Sequence, residues 1–442
     1  MTRTAAAPPA RPLVGHLHAL RHDPLGFTTR CAAYGDVVPL RFGPRRVFML
    51  NHPDDIQDVL VTRNHLFRKG YLARGLEPMI GNGLLISEGD FWRRQRRLEQ
   101  PAFHRTRIAG YAASMVAEVE PLTAGWRDGE ERDVHADMLA LTLEVVTRTL
   151  FGADLRDGVA VVRAALATVL TTLNYRLSTL LFMVPTVVPV PAHLRLRAAV
   201  RRLDRVVYGI IERRRRSGER RADLLGMLLD AEDEDGTRMT DRQLRDEVMT
   251  LMVAGHETTA LSLSWSTYLL AGHPMADAAL HRELEAVLGG RPPAVDDLPR
   301  LRYADAVVKE TLRLYPAGWV IFREALEDLE IRGHVVRRGW TVALPQWAVH
   351  RSERFHPEPE RFRPERWLDD DVERHRFAYF PFGGGPRLCI GSHFAMVEST
   401  LLLAAIAQRF RFRTVPGFTP EPDPAITLRP RSGIQLTVHI RG

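Results

Sequence analysis

Residues 382–391 read FGGGPRLCIG, and Cys389 within them is one of two cysteines in a chain of 442 residues. Gly383, Gly384, Gly385 and Pro386 let the backbone bend tightly without Cβ clashes, so that a flat macrocycle could lie against it. Downstream, residues 392–410 have the apolar spacing of an amphipathic helix, which puts Cys389 close ahead of a helix start. Backbone N–H groups and the positive end of the helix dipole favour a thiolate at such a position, and a thiolate is a metal ligand. The competing reading is a buried structural cysteine, the usual fate of an unpaired one.

The segment resembles the cysteine-ligand signature of the cytochrome P-450 family, F-x-x-G-x-R-x-C-x-G, with Phe382, Gly385, Arg387, Cys389 and Gly391 at its fixed positions. Three further motifs stand in family order. FWRRQRRLEQPAFH (91–104) resembles the W-x-x-x-R helix, with Trp92 and Arg96. AGHETT (254–259) matches (A/G)-G-x-(D/E)-T, and VVKETLRLYP (307–316) holds E-x-x-R in Glu310 and Arg313, with Arg366 of PERW (364–367) joining them. The resemblance spans nearly the whole chain and implies a mainly α fold with small β-sheets. This is the triangular cytochrome P-450 fold, with haem b between a long helix and the cysteine loop.

By that resemblance Cys389 is the axial iron ligand, and Trp92, Arg96, Arg387 and Arg323 (of FREA, 322–325) meet the haem propionates. Phe382 and Gly255 complete the cofactor-binding set. Thr258 stabilises the reacting oxygen, Glu257 belongs to the proton path, and Glu310, Arg313 and Arg366 are structural.

The residues themselves point the same way. Glycine and β-branched threonines are poor helix formers, so AGHETT in mid-helix needs another reason to be there, and a local distortion supplies one. Small Ala254 and Gly255 would leave room for a diatomic ligand, and an acid-alcohol pair can relay protons to it. His256 is a tempting metal ligand, but among these motifs it is read as packing or hydrogen-bonding. A histidine-bound haem would lack the electron push of a thiolate. Glu310 and Arg313, at i and i+3, can pair on one helix face.

Two distant cysteines, Cys31 and Cys389, make no disulfide framework, and no CxxCH motif is present, so any haem is held without covalent bonds. The N-terminal MTRTAAAPPARPLVGHL is proline-broken and lacks an apolar run, which points to a protein of the cytoplasm without a membrane anchor. The net charge of +7 comes from scattered arginines without interleaved aromatics, which argues against nucleic acid. The run Arg213 to Arg216 reads as a solvated helix end. Acidic stretches at 230–235 and 369–371 could hold Mg²⁺, but solvated loops are the better reading.

Along the chain, VVPLRF (37–42) and RVFML (46–50) flank Gly43-Pro44 as a hairpin. Helical spacing covers 108–150 and 159–181, and another helix runs to Arg216. A capping box at Thr240 and Gln243 opens a helix lasting to about Ala271, roughly 45 Å long. Residues 301–315 read as helix and 331–344 as short strands. No linker interrupts the middle, so residues 1–442 read as a single domain.

The resemblance implies monooxygenation, with O₂ and two electrons placing one oxygen atom in a C–H bond. With no G-x-G-x-x-G and no four-cysteine array, electrons come from outside, by the resemblance from a ferredoxin and its NAD(P)H-dependent reductase. Arg93, Arg94 and Arg97 would form the docking face of a monomer. Leu76, Leu84, Leu177, Met252, Ala254, Gly318, Trp319, Val320 and Thr427 are the expected pocket walls, largely apolar, suiting a hydrocarbon-like substrate. HDPLGF, RRQRRLEQPAFHR and YPAGWVIFREA are similar to soluble actinobacterial members that oxidise cyclic sesquiterpenes. Macrolide, fatty-acid and steroid substrates stay open. A peroxygenase would dispense with the acid-alcohol pair, and a haem carrier or sensor would need no proton relay.

Overall fold

The capping box closes as its sequence predicts: Thr240 Oγ1 accepts the Gln243 N–H at 3.2 Å, and Gln243 Oε1 accepts the Thr240 N–H at 2.9 Å. It starts the helix Asp241–Gly272, 32 residues long, hereafter the long helix. The computed structural model describes residues 7–152, 159–178, 184–186, 188–219, 221, 223–231, 236, 238–369 and 373–441. No helix among them is long and apolar enough to cross a membrane.

The chain forms two compact units. One is assembled from the N-terminal stretch up to Leu72, from Lys309–Ser392 and from Pro422–Arg429. Its hairpin pairs Val37–Phe42 with Arg45–Leu50, in the register Val37 to Leu50. Strands Thr341–Leu344, Ile321–Ala325 and Phe67–Arg68 extend this sheet in that order. Phe48, Leu50, Leu60, Val342, Leu344, Phe377 and Phe380 form the core on it. Ile321–Ala325 carries Arg323, in a stretch the sequence reading left unassigned.

The other unit comprises Ala73–Val308, His393–Glu421 and the stretch from Pro430 onward. Here the long helix packs against the helix Val134–Phe151. Thr142 Oγ1 donates to the His256 carbonyl at 2.9 Å, and a Cβ on Gly255 would come within 3.1 Å of Val146. The helical spacing expected over 108–150 is broken by a strand, Glu130–Asp133, that joins Gln435–Ile440 and Phe410–Thr414 in a three-stranded sheet. Gly129, at φ +76°, turns the chain into that strand. The Arg213 to Arg216 run is also not wholly solvated. Arg214 is buried, with Asp223 accepting from it at 2.8 and 2.7 Å and the Phe151 carbonyl at 2.9 Å.

In the first unit Glu310 and Arg313 are completely buried. The Glu310 carboxylate accepts from Arg313 Nε and Nη2 at 2.9 and 2.8 Å, from Arg366 Nε at 2.8 Å, from the Trp367 indole at 2.8 Å and from the Arg363 N–H at 3.0 Å. Arg313 spends its remaining donors on the carbonyls of His350, Pro359 and Arg361. Burial by itself would raise the Glu310 pKa, but the two arginines outweigh it and hold the group below its usual range. Glu310→Gln leaves two guanidinium groups buried without their counter-charge, which is expected to cost about 3–5 kcal/mol. A fall in the urea midpoint measures it, and an unchanged midpoint would show that the network adds no net stability.

Candidate active site

The two cysteines have opposite surroundings. Cys31 lies in the helix Pro24–Ala32 with no exposed surface, and burial pushes its thiol up to about 12, Arg30 offsetting only part. Cys389 is exposed, three residues ahead of the helix Ser392–Ala407. Its N–H donates to the Phe382 carbonyl at 3.0 Å, the Leu388 N–H to Gly385 at 3.0 Å, and the Ser392 N–H to the Cys389 carbonyl at 3.3 Å. The loop is therefore a tied turn. Gly385 has φ +65°, and a Cβ there would sit 1.8 Å from the Leu60 carbonyl oxygen. At Gly384 a Cβ would lie 2.4 Å from the Phe377 ring. The protein's own packing thus demands these two glycines. Phe382 and Arg387 flank the cysteine half-buried, and Arg323 donates to the Phe322 carbonyl at 2.9 Å.

In the second unit, every residue of the long helix from Leu244 to Leu270 is buried except Val253, Ala254, Gly255, Thr258 and Tyr268. Four of these five lie at the acid-alcohol motif, where Ala254 and Thr258 share a helix face. The helix does not change type at the motif, where the expectation was a local distortion: the backbone stays α-helical, and Thr258 Oγ1 donates to the Ala254 carbonyl at 2.7 Å. A threonine in this rotamer bends a helix without interrupting it. Glu257 is buried beside it. Gly255, expected to make room for a ligand, gives the space above its Cα to Val146. His256 is buried, and neither ring nitrogen meets a hydrogen-bond partner, so it packs.

Trp92 and Arg96 share the helix Gly89–Glu99. With Arg93, Arg97, His104 and Arg107 they line a cleft of about 680 Å³. An indole N–H and four guanidinium groups around one opening make a site for carboxylates. Of the three arginines expected on a docking face, Arg93 and Arg97 are exposed and Arg94 is half-buried. Arg93 pairs with Asp90.

The expected pocket walls divide between the units. Leu76 and Ala254 are partly accessible and Leu84 is nearly covered. Met252 has no exposed surface and is a core residue, a correction to its place on the pocket wall. Its position on the helix turns it into the packed interior. Gly318, Trp319, Val320 and Thr427 are partly accessible in the first unit, where the Trp319 indole donates to the Ala425 carbonyl at 2.9 Å. The Leu177 side chain lies outside the described residues, as do most of the acidic stretches at 230–235 and 369–371. No metal-binding cluster occurs among the described residues.

The sequence reading passed over three buried acids of the second unit: Glu99, Glu247 and Glu398. Burial drives the Glu398 pKa well up, with only Thr259 opposing. The available signal was a lone carboxylate amid the apolar run MVESTLLLAAIA (396–407).

Comparison with known proteins agrees with these motifs. The family model described as cytochrome P-450 matches residues 6–438. Cyclooctatin synthase of Streptomyces melanosporofaciens is 40% identical over 430 residues, covering 96% of this chain and 94% of that protein. Pentalenene oxygenase of Streptomyces avermitilis is 37% identical over 423 residues, covering 94% of this chain and 92% of that one. A crystal structure of a cytochrome P-450DA heme domain superposes with a TM-score of 0.89 at 28% identity, over 99% of this chain and 98% of that one.

His256 gives the motif a pH signature. Burial, then the charge of His135, lowers its pKa from 6.5 to about 4. A histidine held neutral contributes stability that is present above pH 6.5 and lost as pH falls towards 4, about 3 kcal/mol for this shift. His256→Gln is expected to lose less stability over that window than the parent in paired denaturation curves. Parallel curves would show that His256 titrates normally.

Proposed function

Because the chain belongs to the cytochrome P-450 family, its reaction is monooxygenation at a haem-thiolate centre fed by an external redox partner, and we propose that its substrate is a cyclic terpene. The observation that carries the substrate reading is the 37% identity to pentalenene oxygenase over 94% of this chain. Within each unit, partly accessible side chains at the expected positions, Leu76 and Ala254 in one and Trp319 and Val320 in the other, are apolar and suit such a molecule.

The residues present fit a haem. Cys389 is an exposed thiol in a tied turn before a helix, the cleft at Trp92 and Arg96 offers donors to carboxylates, and the long helix is partly accessible at Ala254 and Thr258. We assign Cys389 as the iron ligand, Trp92, Arg96, Arg323 and Arg387 to the propionates, and Phe382 to the face of the macrocycle. When bound, the group supplies dioxygen activation, with the thiolate pushing electron density to favour O–O cleavage.

The chain's own contribution is proton handling and exclusion of water. Thr258, anchored on the Ala254 carbonyl, is partly accessible, and Glu257 is the neighbouring acid. An alcohol held this way offers its lone pairs to a donor, and when its own hydrogen turns away from Ala254 it can donate in turn, which a valine could not do. Residues 1–442 are read as one catalytic domain, a cytoplasmic monomer served by a ferredoxin and its NAD(P)H-dependent reductase.

Titrating the purified ferric protein with a cyclic sesquiterpene hydrocarbon is expected to shift the iron from low to high spin, with a macrolactone, a fatty acid and a steroid leaving it unchanged. A shift with one of those instead would move the substrate assignment to that class. Cys389→Ser in the same titration should lack the thiolate spectrum altogether.

Arg93 and Arg97 give the docking reading its own measurement. Reversing both to glutamate is expected to slow reduction by an acidic ferredoxin, and to flatten its dependence on ionic strength, because long-range steering is screened by salt. An unchanged rate would move the docking site elsewhere.

A further inference from the structure

The helix Gly89–Glu99 and the first half of the long helix enclose a group of polar side chains that the assignments above leave unused. Glu99 has no exposed surface, and no N–H donates to either of its carboxylate oxygens. Glu247 lies close enough to interact with it, is 1% exposed, and through Oε2 accepts the Leu84 N–H at 2.7 Å. One turn before Glu99, on the same helix face, Gln95 is fully buried with both amide atoms unpartnered. Next along the long helix from Glu247, at i+3, Thr250 is 2% exposed with an unpartnered hydroxyl. The backbone of residues 81–84 is fitted against this group. A Cβ on Gly83 would lie 2.1 Å from Thr250 Oγ1, and one on Gly81 would lie 2.0 Å from Asp246 Oδ1.

Leaving one such group unsatisfied costs about 1–3 kcal/mol, and a cluster this polar is a place for buried water. Two facing carboxyls that share a buried site cannot both ionise. Burial, then the charge and hydrogen bond of Glu247, holds Glu99 well above the carboxylate range, with Arg96 opposing. Burial also raises Glu247, to about 7, with the Glu99 hydrogen bond and the Leu84 N–H opposing the rise and Asp246 adding to it. Asp246 is itself paired with Arg245 at 2.9 Å.

The position of the pair along the helix matters most. Residues 247, 250, 254, 257 and 258 recur at three- and four-residue steps and so share one face of the long helix. From Glu247 to Thr258 is eleven residues, roughly 16 Å. Leu251 and Ala254 stand between Thr250 and the acid-alcohol pair on that face, and of the two Ala254, with only a methyl group, is the one beside which water would have to pass.

We propose that Glu99 and Glu247 hold one proton between them and pass it through Thr250 and buried water along this face to Glu257 and Thr258. The established reaction needs such a supply. Placing one atom of O₂ in a C–H bond consumes two electrons and two protons per turnover, and the other oxygen leaves as water. Each proton given up is replaced from solvent, so the pair returns to its one-proton state. Glu99, Glu247 and Thr250 act through Glu257 and Thr258 and are positioning residues, touching neither substrate nor haem.

Infrared hydrogen-deuterium difference spectra of the purified protein read the pair without turnover. The parent should show the C=O stretch of a buried protonated carboxyl that weakens in both Glu99→Gln and Glu247→Gln and persists in Thr250→Val. A second readout is NAD(P)H-driven oxygen consumption in H₂O and D₂O without added substrate. Glu99→Gln is expected to lower it roughly 100-fold, the low end for a positioned proton donor, with a larger solvent isotope effect. Glu99→Asp should restore it in part, and Thr250→Val should lower it while leaving the infrared band in place. Neither readout uses a terpene, so a wrong substrate assignment would leave both standing. A band unchanged in both glutamine variants, or oxygen consumption unchanged in Glu99→Gln and Thr250→Val alike, would overturn the relay. If Glu99→Gln does not fold, the isotope effect of Thr250→Val decides.

Discussion

A single carboxylate with five donors on it, Glu310, organises the unit that carries the cysteine loop. An ionised group with no exposed surface survives only if every lone pair is engaged, and here two arginines, an indole and a backbone amide engage them. The consequence reaches the loop itself. Arg313 holds the His350 carbonyl, His350 Nε2 accepts the Phe380 N–H, the Phe380 carbonyl accepts the Gly383 N–H, and the Phe382 carbonyl accepts the Cys389 N–H. A chain of short hydrogen bonds thus runs from the buried charge to the residue assigned to iron. Rigidity at that end is what a metal ligand requires, because a thiolate on a loose loop would lose its bond length and direction.

The same residue type behaves oppositely in the other unit. Glu310 is ionised because cations surround it, whereas Glu398, Glu99 and Glu247 have their pKa values raised because they are buried with few donors or face another acid. A carboxyl kept neutral in an apolar interior is costly as structure and useful as a proton donor. Their presence beside an otherwise well-packed long helix fits a reaction that consumes protons away from bulk water. His256, fully buried and neutral on the same helix, adds nothing to that supply, since its two nitrogens meet no partner.

Helix-helix packing and ligand access compete along the long helix. Gly255 yields to Val146 so that two helices can approach, and Met252 turns into the core, leaving Val253, Ala254 and Thr258 as the accessible side chains at the motif. Small or β-branched groups at those positions set how closely a bulky hydrocarbon can come. Discrimination among apolar substrates therefore rests on shape, which apolar contacts read weakly, and this fits a family that serves many substrates on one fold.

Local chemistry made much of this legible in the chain alone. The Thr240 capping box, the hairpin around Gly43-Pro44, the E-x-x-R spacing and the turn before Cys389 are written within a few residues, and each is decided by backbone sterics or by i+3 geometry. The family and its chemistry followed from those motifs. What the sequence could not decide was set by partners far along the chain. The strand Glu130–Asp133 forms because Gln435–Ile440 pairs with it; Gly384 and Gly385 are required by Phe377 and Leu60; Arg214 is buried because Asp223 meets it; and Glu99 is a relay candidate because Glu247 faces it. Burial and ionisation are properties of surroundings, and only the folded chain brings those surroundings together.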